Sequence, residues 1–143
     1  MNLAIACDHA GYETKEKLKV FLEQQGHKVT DFGTDSTESM DYPDTAHPLA
    51  QAVEDKKFTY GITLCGSGNG INMTSNKHQG IRAALCWTVE ISKLAREHND
   101  ANICSIPARF VTYKLAEQIV DIFLKTDFEG GRHQRRVEKI PVK

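Results

Sequence analysis

A thiol and three glycines stand together near the middle of this 143-residue chain, in Thr63-Leu64-Cys65-Gly66-Ser67-Gly68-Asn69-Gly70-Ile71-Asn72. An apolar run, Tyr60 to Leu64, ends on the cysteine, and a segment able to form a helix follows the glycines. That order is a strand, a tight loop and a helix start. Glycines at such a loop let the backbone approach a ligand closely and turn its N–H groups toward it. A thiol beside those donors and beside the positive end of a helix dipole is biased toward the thiolate, its reactive form. A free cysteine titrates near ~8.5, so a reduction of ~1–2 units would make the base largely available at neutral pH. The pattern is not a phosphate-binding Walker loop, because no Gly-Lys-Ser/Thr follows. It is not a dinucleotide fingerprint either, because Ile71 stands where a third glycine belongs. The next strand ends Cys86-Trp87-Thr88, with no acid to hold a ribose hydroxyl, so neither a nicotinamide nor a flavin cofactor is expected. What remains is an anion hole next to a thiol.

Other residues of chemical interest lie at ends of the predicted elements. Asp8-His9 follows the first strand, as Cys65 follows the third, so both belong to the carboxyl edge of a parallel sheet and can line one crevice. Taken alone, Asp8 reads as a helix N-cap and His9 as a loop residue. Arg109, just after the fifth strand, belongs to the same edge. Arg132, Arg135 and Arg136 follow Gly130-Gly131. The bland reading is a solvated tail, but Arg132 and Arg136, four residues apart, can clamp one phosphate. His98-Asn99-Asp100 ends a helix that runs down from strand four, which puts it at the amino edge, opposite Cys65. Its bland reading is a partly buried capping histidine. If His98 is catalytic, a second subunit has to supply it, which predicts a dimer with a shared site.

The elements that must hold these residues alternate. Leu3 to Cys7 is a buried strand, followed by Asp8-His9-Ala10-Gly11 and a helix to about Gln25 with Leu18, Phe21 and Leu22 inward. Gly26 stops it as a C′ glycine. Lys28 to Phe32 is a second strand, Gly33 to Asp44 a polar loop, and Pro48 to Lys57 a helix opening near its proline. Tyr60 to Leu64, Gly80 to Cys86 and Ala101 to Ile106 are strands three to five. Thr88 to His98 is a helix with Ile91, Leu94 and Ala95 inward. Thr112 to Lys125 is another, with Leu115, Ile119, Ile122 and Phe123 on one face. The tail from Phe128 shows no period. Short apolar strands alternating with helices predict a parallel sheet covered on both faces, with ligands beyond the carboxyl ends of its strands.

At 143 residues and 40% hydrophobic, the chain can fill the core of one domain, 1–143, with an arginine-rich tail over 128–143. Eighteen basic against nineteen acidic residues leave a net charge of −1, which argues against a nucleic-acid or membrane surface. The four cysteines, Cys7, Cys65, Cys86 and Cys104, have no CxxC spacing, so no metal site is expected, and all but Cys65 read as small buried hydrophobes. No membrane-length apolar run and no signal-peptide layout is visible, which predicts a cytoplasmic protein.

Five motifs in order, Cys7-Asp8-His9-Ala10-Gly11, Asp41-Tyr42-Pro43, Cys65-Gly66-Ser67-Gly68-Asn69-Gly70, Arg96-Glu97-His98-Asn99-Asp100-Ala101-Asn102 and Glu129-Gly130-Gly131-Arg132-His133-Gln134 through Arg136, resemble ribose-5-phosphate isomerase B and its sugar-phosphate isomerase relatives. The resemblance runs from residue 7 to 136. It implies a Rossmann-like α/β/α sandwich with a five-stranded parallel sheet in order 2-1-3-5-4, a homodimer that sometimes pairs into tetramers, and no cofactor or metal. It implies interconversion of ribose 5-phosphate and ribulose 5-phosphate through an enediolate, in the non-oxidative pentose phosphate pathway. By motif, Cys65 is the base between C2 and C1 and His98 the acid that opens the furanose ring. Asp8 and Asn99 bind sugar hydroxyls, and Gly66, Gly68, Asn69 and Gly70 belong to the anion hole, with Ser67 near the reacting oxygens. His9, Arg109, Arg132 and Arg136 hold the phosphate, and Tyr42 lines the sugar pocket. One branch of the family places a glutamate after the glycine loop as base. This chain has Ile71 there, which puts it with the cysteine branch. The chemistry fits: an aldose–ketose isomerase needs a base poised near neutrality and donors aimed at a developing oxyanion. Two alternatives remain: a six-carbon allose 6-phosphate or galactose 6-phosphate isomerase, and a non-catalytic sugar-phosphate binding module.

Overall fold

The short apolar runs fold as strands and the periodic segments as helices. The computed structural model describes residues 1–143. Its strands are β1 (Asn2–Cys7), β2 (Lys28–Asp31), β3 (Tyr60–Cys65), β4 (Ala83–Leu85) and β5 (Ile103–Pro107). Its helices are α1 (Tyr12–Gln24), α2 (Pro43–Glu54), α3 (Asn69–Ser75), α4 (Val89–Asn99), α5 (Tyr113–Lys125) and α6 (Arg132–Val137), with a 3₁₀ turn at His9–Gly11. All strand pairs are parallel, in the order β2-β1-β3-β5-β4.

Successive side chains of a strand point to opposite faces, and β1 shows what that does. Leu3, Ile5 and Cys7 join Leu18 and Leu22 of α1, Ala95 of α4 and Ile119 and Phe123 of α5 in one buried cluster. Ala4 and Ala6 instead meet Leu49, Ala50 and Val53 of α2. Helices therefore cover both faces of the sheet, giving the three-layer sandwich. No helix is long and apolar enough to cross a membrane.

Five boundaries or faces differ from the sequence-based reading, each for a local reason. The fourth strand is only Ala83–Leu85, not Gly80 to Cys86, because the Asn102 side chain accepts the Arg82 N–H (2.8 Å) and donates to the Gly80 carbonyl (2.9 Å) in place of ladder bonds. The second helix begins at Pro43, which occupies its first turn, and Pro48 lies inside it. A first-turn proline costs no hydrogen bond, so the earlier proline is the start signal. In α4 the buried residues are Ser92, Ala95 and Arg96, with Ile91 and Leu94 only half-buried. The Ser92 hydroxyl donates to the Ile119 carbonyl (2.8 Å), and Arg96 is satisfied by the groups described below. Hydropathy alone cannot see polar groups buried with partners. In α5 the buried stripe is Ala116, Ile119, Val120, Phe123 and Leu124, displaced from Leu115 and Ile122. The tail contains α6, which is too short to show a helical period.

Candidate active site

The carboxyl edge of the sheet is assembled from three loops stitched to one another. The Asp8 N–H donates to the Leu64 carbonyl (3.1 Å), which ties the end of β1 to the end of β3, beside Cys65. The Asp8 carboxylate accepts the N–H groups of Ala10 (2.9 Å) and Gly11 (3.2 Å), so the helix-cap reading of Asp8 is correct as far as it goes. Gly11 is required there, since a Cβ would lie 2.7 Å from that of Leu64. From the other side, Ala108 N–H donates to the Cys65 carbonyl (2.9 Å) and Arg109 N–H to the Gly66 carbonyl (3.0 Å). These bonds bring the Arg109 guanidinium against Gly66, where an added Cβ would meet it at 3.2 Å.

The glycine loop has the backbone that its composition demands. Gly68 adopts φ +77°, and a Cβ there would strike Leu85 at 2.4 Å. A Cβ on Gly70 would enter the Tyr42 ring at 2.4 Å, so Tyr42 lies directly over the start of α3. Asn69 N–H donates to the Ser67 hydroxyl (3.3 Å). The N–H groups of Gly66, Ser67, Gly68 and Gly70 make no hydrogen bond to the backbone, which leaves them free as anion donors. Cys65 packs with Ala46 and Ile71 and retains 4% exposure. His9 accepts the Met40 N–H at Nδ1 (3.2 Å), so when neutral it carries its proton on Nε2, as a free donor. Beside the loop runs a groove of about 370 Å³, lined by Ser67, Asn69, Leu85, Trp87, Pro107 and Phe110. Trp87 and Phe110, 50% and 77% exposed, form an aromatic wall that sequence reasoning missed. Their only signal was their place, each just beyond a strand end.

His98, Asn99, Arg132 and Arg136 gather at the other edge. The helix α4 ends there on Asp100, a left-handed residue at φ 48°. The buried Arg96 holds this corner, donating to Asp100 Oδ1 (2.9 Å), the Ala101 carbonyl (2.6 Å) and the Thr126 carbonyl (3.1 Å), with its guanidinium over the Tyr60 ring. Asn102 follows, and its carbonyl accepts from Gly61 at the start of β3. Gly61 and Cys65 are four residues apart along β3, roughly 13 Å at strand rise. His98 and Cys65 of one chain therefore occupy opposite ends of the sheet, as the helix direction predicts.

At the amino edge the chain folds back through Gly130 (φ +69°) and Gly131 (φ +55°) into α6. The His133 ring then stacks on His98, centroids 4.3 Å apart and planes 12° from parallel. Glu129 reaches both, 3.4 Å from His98 Nε2 and 3.9 Å from His133 Nε2. The three ligand-type atoms lie within 4.8 Å of one another, near enough to suggest a metal. Near-parallel rings, however, aim their lone pairs side by side rather than at one point, and Arg132 and Arg136 add positive charge to the same corner. The cluster is better described as a stacked histidine pair facing one carboxylate. Within α6, His133 and Val137 are buried while Arg132, Arg135 and Arg136 are exposed.

The sequence profile of the family described as Ribose/Galactose Isomerase matches residues 3–140. The chain is 43% identical to ribose-5-phosphate isomerase B of Escherichia coli over 138 residues, 96% of this chain and 93% of the relative. Among solved structures, a ribose 5-phosphate isomerase from Thermotoga maritima superposes with a TM-score of 0.96 at 48% identity, covering 98% of this chain and 97% of that one. Ribose-5-phosphate isomerase B from Mycoplasma genitalium, solved with bound ribulose-5-phosphate, has a TM-score of 0.94 at 41% identity over 97% and 93% of the two chains.

Proposed function

This chain belongs to the ribose/galactose isomerase family, and from that premise we propose that it interconverts D-ribose 5-phosphate and D-ribulose 5-phosphate by a cysteine-base mechanism. The observation that carries the reading is the thiol of Cys65 at the end of β3, adjoining a loop in which the N–H groups of Gly66, Ser67, Gly68 and Gly70 have no backbone partner. In this reading His98 gives a proton to the furanose ring oxygen as its bond to C1 breaks, while the anomeric hydroxyl releases its proton to solvent, exposing the aldehyde. The Cys65 thiolate then takes the C2 proton. The electron pair moves onto the carbonyl oxygen, giving an enediolate whose charge is met by the N–H groups of the glycine loop, with Ser67 beside the reacting oxygens. A proton moves between the two enediolate oxygens and Cys65 returns its proton to C1, so nothing is oxidised or reduced overall.

Asp8 and Asn99 take sugar hydroxyls, Tyr42 walls the sugar, and His9, Arg109, Arg132 and Arg136 hold the phosphate. Phosphate binding remote from the reacting carbons supplies orientation. Because these residues divide between two edges of one sheet, the reading requires a homodimer in which each site combines the carboxyl edge of one protomer with the amino edge of its partner.

The test is a turnover assay with ribose 5-phosphate beside allose 6-phosphate and galactose 6-phosphate. Fastest kcat/KM on the five-carbon sugar is expected. Preference for either six-carbon sugar would reassign the substrate. Phosphate-competed binding without turnover of any of them would overturn the enzyme reading in favour of a binding module.

A further inference from the structure

His98 does not stand alone at its corner. Its Nε2 faces the Glu129 carboxylate at 3.4 Å, and one face of its ring is covered by His133. Glu129 is fixed by its own backbone, whose N–H donates to the Glu97 carbonyl (3.0 Å), one residue before His98. His133 N–H donates to the Gly130 carbonyl (3.0 Å), so the two left-handed glycines set the height at which the second imidazole sits. We propose that Glu129 and His133 are positioning residues for ring opening: Glu129 accepts the Nε2 proton of His98, which leaves the Nδ1 edge to meet the sugar, and His133 fixes the plane of the ring.

The stack is suited to an acid. An imidazole carrying a proton is positively charged, and a second charged ring at 4.3 Å would repel it. Burial, with the positive charges of His98 and Arg132 after it, pushes His133 down from the ordinary histidine range. A neutral partner can cover His98 in both of its states. Glu129, half-exposed, places its carboxylate 3.4 Å from the Nε2 of His98 and 3.9 Å from that of His133, so its charge favours a proton on either ring.

This inference rests on the isomerase reading, and the two can be separated because the substrates differ in form. Ribose 5-phosphate is mostly a closed furanose. Ribulose 5-phosphate carries phosphate on the oxygen that would close its ring, so it is open-chain. Exchange of its C1 proton with solvent needs Cys65 and the glycine loop but no ring opening. Glu129→Gln and His133→Ala should each lower ribose 5-phosphate turnover by about tenfold or more, within what a positioned acid contributes. In deuterium oxide, wash-in at C1 of ribulose 5-phosphate should stay within about threefold of wild type, which also reports an intact fold. His133→Phe, which keeps a flat ring on His98, should recover most of the lost turnover. Turnover that falls no further than wash-in, or that does not fall, would overturn the proposal, as would failure of His133→Phe to exceed His133→Ala. A wild-type protein inert toward both sugars would remove the isomerase reading, and this one with it.

Discussion

Cys65 differs from the other three thiols in where it stands. It keeps 4% exposure at a loop edge, while Cys7, Cys86 and Cys104 have none. Burial pushes Cys7 up to about 11, and burial drives Cys104 well above the ordinary thiol range, so both stay protonated and inert. Cys86 accepts a hydrogen bond from Cys104, which lowers it, but its enclosure keeps any sugar away. Cys65→Ala should therefore lower isomerisation by at least about a thousandfold and abolish solvent exchange at C2. Inhibition by inorganic phosphate, read by competition or calorimetry before and after the change, should stay close to that of wild type because other groups are proposed to hold the phosphate. Cys7→Ala, Cys86→Ala and Cys104→Ala should keep kcat, losing about 1–2 kcal/mol of stability to a small cavity. Near-normal turnover in Cys65→Ala, followed by coupled assay, would refute the base assignment.

At the scale of elements, α6 makes the arginine assignment specific. His133 and Val137 turn inward, and at 100° per residue Arg135 falls on the opposite side, while Arg132 and Arg136 flank the inward face. Arg132→Ala and Arg136→Ala should each raise KM, and the inhibition constant of inorganic phosphate, by about tenfold, the scale of a charge-assisted hydrogen bond. Arg135→Ala should change either by less than about twofold, and initial-rate kinetics decide it. A second element-scale device joins α1 to β2. The wholly buried Lys15 ammonium contacts both Asp31 oxygens (2.7 and 2.8 Å) and the Thr34 carbonyl (2.6 Å), pinning the loop that leads toward His9. Burial raises the Asp31 carboxyl, but hydrogen bonds from Lys15, Lys19 and the Gly33 N–H outweigh it and hold it below the usual range. The unfolded chain then binds that proton more readily than the folded one. The stabilisation is present above the ordinary aspartate value near ~3.9 and is lost as pH falls through the lower folded value. Asp31→Asn should cost about 2 kcal/mol at pH 7 and progressively less in acid, measured by urea unfolding at several pH values. Lys15 also shows where the sequence is hard to read. It continues the Leu18 and Leu22 stripe of α1, yet a lysine on an apolar face signals nothing until its partner on another element is known. The strands, apart from the start of β4, the glycine loop and most helices were legible because local period and turn chemistry specify them. The start of α2, the inward Ser92 and Arg96, the whole of α6 and the Trp87–Phe110 wall were not, since each depends on a tertiary partner or on a segment too short to repeat.

At the scale of the molecule, the geometry separates the proposed base from the proposed acid. Cys65 closes β3 at the carboxyl edge, and His98 closes α4 beside Asn102, whose carbonyl meets the opposite end of β3. A site that uses both must draw them from two protomers. Mixed refolding tests this directly. Cys65→Ala and His98→Asn are first shown to be nearly inactive alone on ribose 5-phosphate, then unfolded and refolded together in equal amounts. Random pairing makes about half the dimers mixed. In a mixed dimer with shared sites, one site collects both lesions and the other is intact, so activity should return to about one quarter of wild type. If each chain completed its own site, every site would carry one lesion and the mixture would stay inactive. Subunit exchange is followed independently by differently tagged chains. A mixture that exchanges fully and remains dead would mean that His98 serves Cys65 within one chain, against the direction of α4, or serves no site at all.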